Sequence, residues 1–321
     1  MEPQLKPVPI DEKDNRWSTF GSATAAGPSG MEAIAAPNTV LRNTYWLLAL
    51  SMLPTIAGAY AGMALDFAVF YKTYPIMAPS VTDSNGTTHL FDVVNGKSVV
   101  GKAMAFVPIA VGMPEQVPMI VYYHGHNGQG SVEGYIKAKP VRDFRPLLKD
   151  KKVVFVEPWG GHMSKFGLLG TGAGLTTLIG AAMFTAISNG PTTRPCPVNP
   201  PPPPSLIMAG FSGGGATLKS IVLESKSASL GLLAEAWCFD CMYSGEGQDW
   251  VNWAKASGNA DKQLRVRVTT TEDTGAPRAQ AKIIQASPRP NIDIKGPVDL
   301  GHEDCPGKFI PDFIDLAAKQ N

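Results

Sequence analysis

From about residue 75 onward the chain carries short apolar runs, at Ala103–Pro108, Val117–Tyr123, Lys152–Glu157, Ser205–Gly210, Ala234–Phe239, Leu264–Thr270 and Asn291–Ile294. Several are continuous rather than alternating, which is the pattern of strands covered on both faces. Between them the spacing lengthens to a helical one, as in Gly215–Glu224 and Asp249–Ala256, and a closing helix is expected over Ile310–Lys319. Strands that alternate with helices predict an α/β fold, a mostly parallel sheet with helices on both faces.

Two stretches break this rhythm. Phe166–Asn189 has no charged residue and holds Gly167, Gly170, Gly172, Gly174 and Gly180. Its place between two strands predicts a loop followed by a buried crossover helix. Pro195–Pro204 is a stiff polyproline spacer, read as a rigid surface loop with a proline-reading partner as the minor alternative. Together they form an insertion over 166–204 within a domain expected to span 75–321.

The N-terminal part is written differently. Residues 1–39 mix Pro, Ser, Gly and scattered charges without a period and are expected to form a poorly ordered tail. Within 40–70, the 23 residues Asn43–Leu65 carry no charge. As one helix they would cross a hydrocarbon core of about 30 Å, with Tyr45, Trp46 and Tyr60 as interfacial anchors. A buried helix of the soluble domain is the alternative. Arg42 on one side and Asp66 with Lys72 on the other are too balanced to orient the segment.

Composition narrows the function. The 28 basic and 27 acidic side chains leave a net charge of +1, so the chain has no electrostatic footprint for nucleic acid. Charged residues are 17% of the chain, below the usual value of about 25%, which agrees with a membrane-attached protein. Four cysteines, Cys196, Cys238, Cys241 and Cys305, are too few for a disulfide scaffold. The Cys238-x-x-Cys241 pair ends an apolar strand rather than opening a helix, so nothing lowers its thiol pKa.

The strongest chemical motif is Gly210-Phe211-Ser212-Gly213-Gly214, between an apolar strand and a helix. In that setting G-x-S-x-G is a nucleophile elbow: the turn strains the serine, its close neighbours must be small, and its Oγ projects above the sheet. Upstream, His124-Gly125-His126-Asn127 follows another apolar strand, where backbone amides of Gly213 and of His126 or Asn127, with Gly125 giving room, would bind an oxyanion. Downstream, His302 follows the last strand and precedes the closing helix, as a general base would. His89 precedes the core strands and His162 lies in a loop, so both serve worse. The orienting acid is either Asp240, at the end of Ala234–Phe239, or Asp273 or Glu272, after Leu264–Thr271. A buried carboxylate flanked by Phe239 and Cys241 would need a partner such as an imidazole.

These motifs, in this order over residues 100–319, resemble the α/β-hydrolase superfamily. The resemblance implies a serine hydrolase of the esterase or lipase kind that works through an acyl-enzyme, needs no cofactor or metal, and takes a small-molecule or lipid-like ester. Trp159, Phe211, Trp237 and Tyr243 are candidates for an acyl pocket, and the 166–204 insertion for a partial cap. Val40–Thr55 is similar to the opening of the first transmembrane helix in bacterial membrane proteins of the Bax-inhibitor family. That likeness covers this segment alone; it implies an anchor in a bacterial inner membrane through 43–65, not that family's function. Three rival readings remain: a metal site built on His124-x-His126, a non-catalytic membrane-tethered binding protein, and a secreted antibacterial lipase effector.

Overall fold

The computed structural model describes residues 76–77, 80–127, 129–188, 200–271 and 275–318. The expected tail, the 43–65 segment, Glu272 and Asp273, and the first half of the proline-rich spacer lie outside them. Among the described residues no helix is long and apolar enough to cross a membrane.

The described chain forms one sheet of ten strands: β1 Ile76–Met77, β2 Val81–Asp83, β3 Gly86–Asn95, β4 Ser98–Pro108, β5 Met119–Tyr123, β6 Val154–Pro158, β7 Leu206–Phe211, β8 Leu233–Phe239, β9 Gln263–Thr269 and β10 Ile292–Val298. Their order is β1-β3-β4-β6-β5-β7-β8-β9-β10, with β2 paired to β3. Pairing is antiparallel from β1 to β6 and parallel from β6 to β10. The expected α/β class and mostly parallel sheet are therefore what the chain forms. β3 was not among the expected strands, and it corrects the placing of His89 ahead of the core. His89 sits within β3, is 1% exposed, and bonds Ser80 Oγ through Nδ1 at 2.7 Å. Burial lowers its pKa to about 4.

Strand side chains alternate between two cores, because successive residues of a strand point to opposite faces. Met119, Val121 and Tyr123 join one core; Ile120 and Tyr122 join the other. Helices α1 Val132–Ala138, α2 Arg145–Leu148 and α7 Asp304–Ala318 cover the second face with Tyr135, Leu148, Ile310 and Phe313. The first face is covered by α3 Gly172–Ser188, α4 Gly215–Lys219, α5 Gly247–Lys255 and α6 Gly275–Gln285. A fully buried residue such as Phe313 or Leu178 contributes about 1.5–3 kcal/mol of transfer free energy.

The helix predicted within Phe166–Asn189 is α3, which buries Leu175, Leu178, Ile179 and Met183 against the sheet. It is a layer of the fold, so the expectation that 166–204 supplies a partial cap does not hold for its helical part. The reason is composition: a helix without charges on any side has no face to offer water.

Candidate active site

The sheet reverses its winding at β5, which lies between β6 and β7. The crevice outside the carboxyl ends of strands at such a switch point is where open α/β sheets bind ligands. Both glycine-rich motifs of the sequence arrive there, one after β5 and one after β7.

β7 ends at Phe211, and Ser212 takes φ +48° before a 3₁₀ turn, Ser212–Gly214, leads into α4. A left-handed conformation costs a non-glycine residue roughly 1–2 kcal/mol, so the neighbours must hold it. They do so by contact. A Cβ on Gly214 would lie 2.0 Å from the Tyr123 carbonyl oxygen, and one on Gly125 would lie 2.7 Å from Ser212 Cβ. The turn after β5 and the elbow after β7 therefore interlock with backbone against backbone. The Gly213 amide opens the 3₁₀ turn, where no preceding carbonyl is in position to accept it.

The turn after β5 separates its sequence candidates. His124 is fully buried, with Nε2 accepting from the Gly160 amide at 3.0 Å and Nδ1 donating to the Gly125 carbonyl at 2.7 Å. Burial lowers its pKa to about 4, so the ring is neutral and both nitrogens are taken. That disposes of His124 as one half of a metal site. Asn127 is also engaged: its amide donates to the His162 carbonyl at 2.9 Å, its Nδ2 reaches the Gly125 and Gly161 carbonyls, and its Oδ1 accepts from Gln129. As an oxyanion donor Asn127 is thus corrected to a tie between this turn and the loop after β6. His126 is exposed, and its ring lies against Gly213.

Of the candidate acids, Asp240 lies among the described residues, and Glu272 and Asp273 lie outside them. Register pairs Phe211 with Phe239, so Asp240 is the residue after β8 just as Ser212 is the residue after β7. Asp240 has φ +44° and no exposed surface. Its Oδ1 accepts from the Thr269 amide at 2.7 Å. Oδ2 accepts from Thr269 Oγ1 at 2.7 Å and from His302 Nδ1 at 3.1 Å. Because a carboxylate only accepts, His302 carries its proton on Nδ1 and leaves Nε2 as a lone pair. The His302 ring also stacks on Phe211, with centroids 4.7 Å apart, which brings it to the elbow. The Ser212 hydroxyl makes no hydrogen bond with a described residue; such contacts are often loose without substrate.

Several neighbours carry no sequence signal. Thr269 reads as an ordinary strand residue, and its role follows only from the pairing of β8 with β9. Glu303, next to His302, receives Arg142 through two bonds of 3.1 and 3.0 Å and Lys139 at 2.9 Å. Burial opposes ionisation of Glu303, but these cations overcome it and lower its pKa. The pair anchors the His302 turn to the connection between α1 and α2. Glu157, at the end of β6, is fully buried with neither carboxylate oxygen hydrogen-bonded. Burial without a partner raises its pKa well above the usual range, against a smaller opposing pull from Arg142.

Of the aromatic candidates, Trp237 is core, with Nε1 donating to Glu235 at 2.6 Å, and Tyr243 is 41% exposed. Trp159 lies against His124, centroids 4.9 Å apart, and opens on a cleft of about 380 Å³ whose lining is mixed, with Leu90 and Phe91 beside Asp92, Lys102 and Glu133. Cys238, Cys241 and Cys305 are buried and free. Hydrogen bonding to Cys238 and burial push the Cys241 thiol up, away from reactivity.

No protein-family model matches the chain, and no curated protein matches it. Among solved structures, the chain is similar to an S-formylglutathione hydrolase from Agrobacterium tumefaciens, with 12% identity and a TM-score of 0.44 over 77% of this chain and 99% of that one. It is similar to esterase B from Lactobacillus rhamnosis, with 11% identity and a TM-score of 0.43 over 84% and 96%. It is likewise similar to the rice cell wall degrading esterase LipA from Xanthomonas oryzae, with 11% identity and a TM-score of 0.46 over 78% and 98%.

Proposed function

We propose that the protein is a serine esterase or lipase-like hydrolase with Ser212 as nucleophile, His302 as general base and Asp240 as orienting acid. The observation that carries this reading is the Asp240 Oδ2–His302 Nδ1 bond of 3.1 Å, formed at the carboxyl ends of the central strands where Ser212 stands in a left-handed elbow. Ser212 Oγ attacks the ester carbonyl and passes its proton to His302 Nε2. Asp240 holds the ring in the required tautomer and stabilises the imidazolium. The backbone amides of Gly213 and His126 stabilise the oxyanion. His302 then protonates the departing alcohol, and water, deprotonated by the same ring, releases the acid from the acyl-enzyme.

Labelling by a fluorophosphonate probe tests this. The wild type is expected to label; Ser212→Ala is expected not to label, and Asp240→Asn to label slowly. Absence of labelling in a folded wild type would refute the assignment. Attachment to a membrane through 43–65 is a separate part of the proposal, resting on that charge-free run. It predicts recovery in the membrane fraction and release to the soluble fraction when the segment is deleted.

A further inference from the structure

Position 213 of the elbow holds no side chain, and the space is taken from another strand's turn. A Cβ built on Gly213 would meet His126 Cδ2 at 2.4 Å, Nε2 at 2.5 Å and Cε1 at 3.2 Å. With a Cα–Cβ bond of about 1.5 Å, the Nε2–Cδ2 edge of the ring is within about 4 Å of Gly213 Cα. The imidazole thus rests on the peptide whose amide adjoins Ser212. The neighbouring histidines are committed elsewhere: His124 is spent on Gly125 and Gly160, and His162 Nδ1 on the Asn127 carbonyl. His126 is exposed, and among the described residues neither ring nitrogen has a hydrogen-bond partner.

We infer that the His126 side chain is a further catalytic residue, whose Nε2–H donates to the oxyanion beside the Gly213 amide. This rests on the serine-hydrolase reading above and deepens it. An imidazole N–H adds a third donor to a hole otherwise made of two backbone amides, and an oxyanion donor acts on the transition state more than on bound substrate. The glycine at 213 is then part of the same device. Any side chain there would lift the ring from the elbow.

Three variants test the inference through hydrolysis of p-nitrophenyl butyrate, with fluorophosphonate labelling as a control on the nucleophile. His126→Ala is expected to lower kcat by about ten- to a hundredfold, at the lower end of what removal of an oxyanion donor costs because the site is open to water. KM is expected to stay within a factor of about two, and His126→Gln, which keeps an N–H donor, to recover part of the loss. Gly213→Ala displaces the ring while leaving the amide, so it is expected to cost as much as His126→Ala. The two together are expected to cost no more than either alone. Wild-type kcat in His126→Ala, or a loss confined to KM, overturns the inference while labelling of Ser212 leaves the hydrolase reading standing. Additive losses in the double variant overturn it too. A folded wild type that neither labels nor hydrolyses overturns both readings.

Discussion

Asp240 and Thr269 hold each other across two adjacent strand ends, the threonine giving its amide to one carboxylate oxygen and its hydroxyl to the other, each at 2.7 Å. The carboxylate is fixed before His302 reaches it. Thr269→Val removes the hydroxyl and keeps the shape. It is expected to lower kcat about tenfold with KM unchanged, because a mobile acid orients the imidazole less well. Asp240→Asn is expected to cost on the order of a thousandfold or more, since an amide permits the wrong tautomer. Steady-state kinetics of both variants check the ranking; equal losses would refute it.

Gly125→Ala places a methyl 2.7 Å from Ser212 Cβ and 3.1 Å from the Phe211 ring. Relief requires moving the elbow or the turn after β5. We expect a loss of about 1–3 kcal/mol in stability and a fall in kcat larger than the stability loss explains. Urea unfolding and kinetics on the folded fraction separate the two effects.

Glu157 makes stability depend on pH. Its folded pKa lies well above the usual range because the carboxyl is buried without a partner, whereas in the unfolded chain it titrates near about 4.3. Folding therefore takes up a proton at pH values between the unfolded and the folded pKa. The contribution of this group is full below the unfolded pKa and is lost as pH rises toward and through the folded one. Glu157→Gln abolishes the term, so its Tm relative to wild type is expected to be higher at pH 8 than at pH 5. The same difference at both pH values would refute this.

Glu235 is the shared acceptor of a buried group on β8 and β9. Arg265 donates to its two oxygens at 2.6 and 2.8 Å, and Trp237 donates at 2.6 Å. Glu235→Ala leaves Arg265 with only Asp293, at 3.4 Å. Stranding a buried cation is expected to cost about 3–5 kcal/mol, read as a lower urea midpoint with an unchanged slope.

The central parallel strands β5, β6 and β7 were legible because they are buried on both faces and read as near-continuous apolar runs. β3 was not: Gly86-Thr-Thr-His-Leu-Phe-Asp-Val-Val-Asn mixes polar with apolar residues, since an antiparallel strand near the sheet's edge needs a less apolar sequence. The tight turn at Ser212 and the position of His302 were legible because glycines flank the one and a strand end precedes the other. The carboxylate partner of His302 was only half legible. The cost of burying Asp240 pointed to a partner, but that partner lies 62 residues away and Thr269 29. Asn127 misled for a similar reason: the tie that occupies its amide comes from His162. Glu157 left no trace, because a lone buried carboxyl follows no pattern.

The rung that pairs Phe211 with Phe239 makes the sheet a counting device. Neighbouring strands are about 4.8 Å apart, and the two site residues are each one step past the same rung. Residues added at the exposed positions of the connection over 225–232 would leave that rung in place. One residue added or lost inside the regular stretch Glu235–Phe239 would turn side chains to the opposite core and carry the carboxylate off the imidazole. Length variation in descendants of this gene should therefore accumulate between the strands. Its near absence within β7 and β8 would be the mark that selection leaves when the distance it guards is measured in residues.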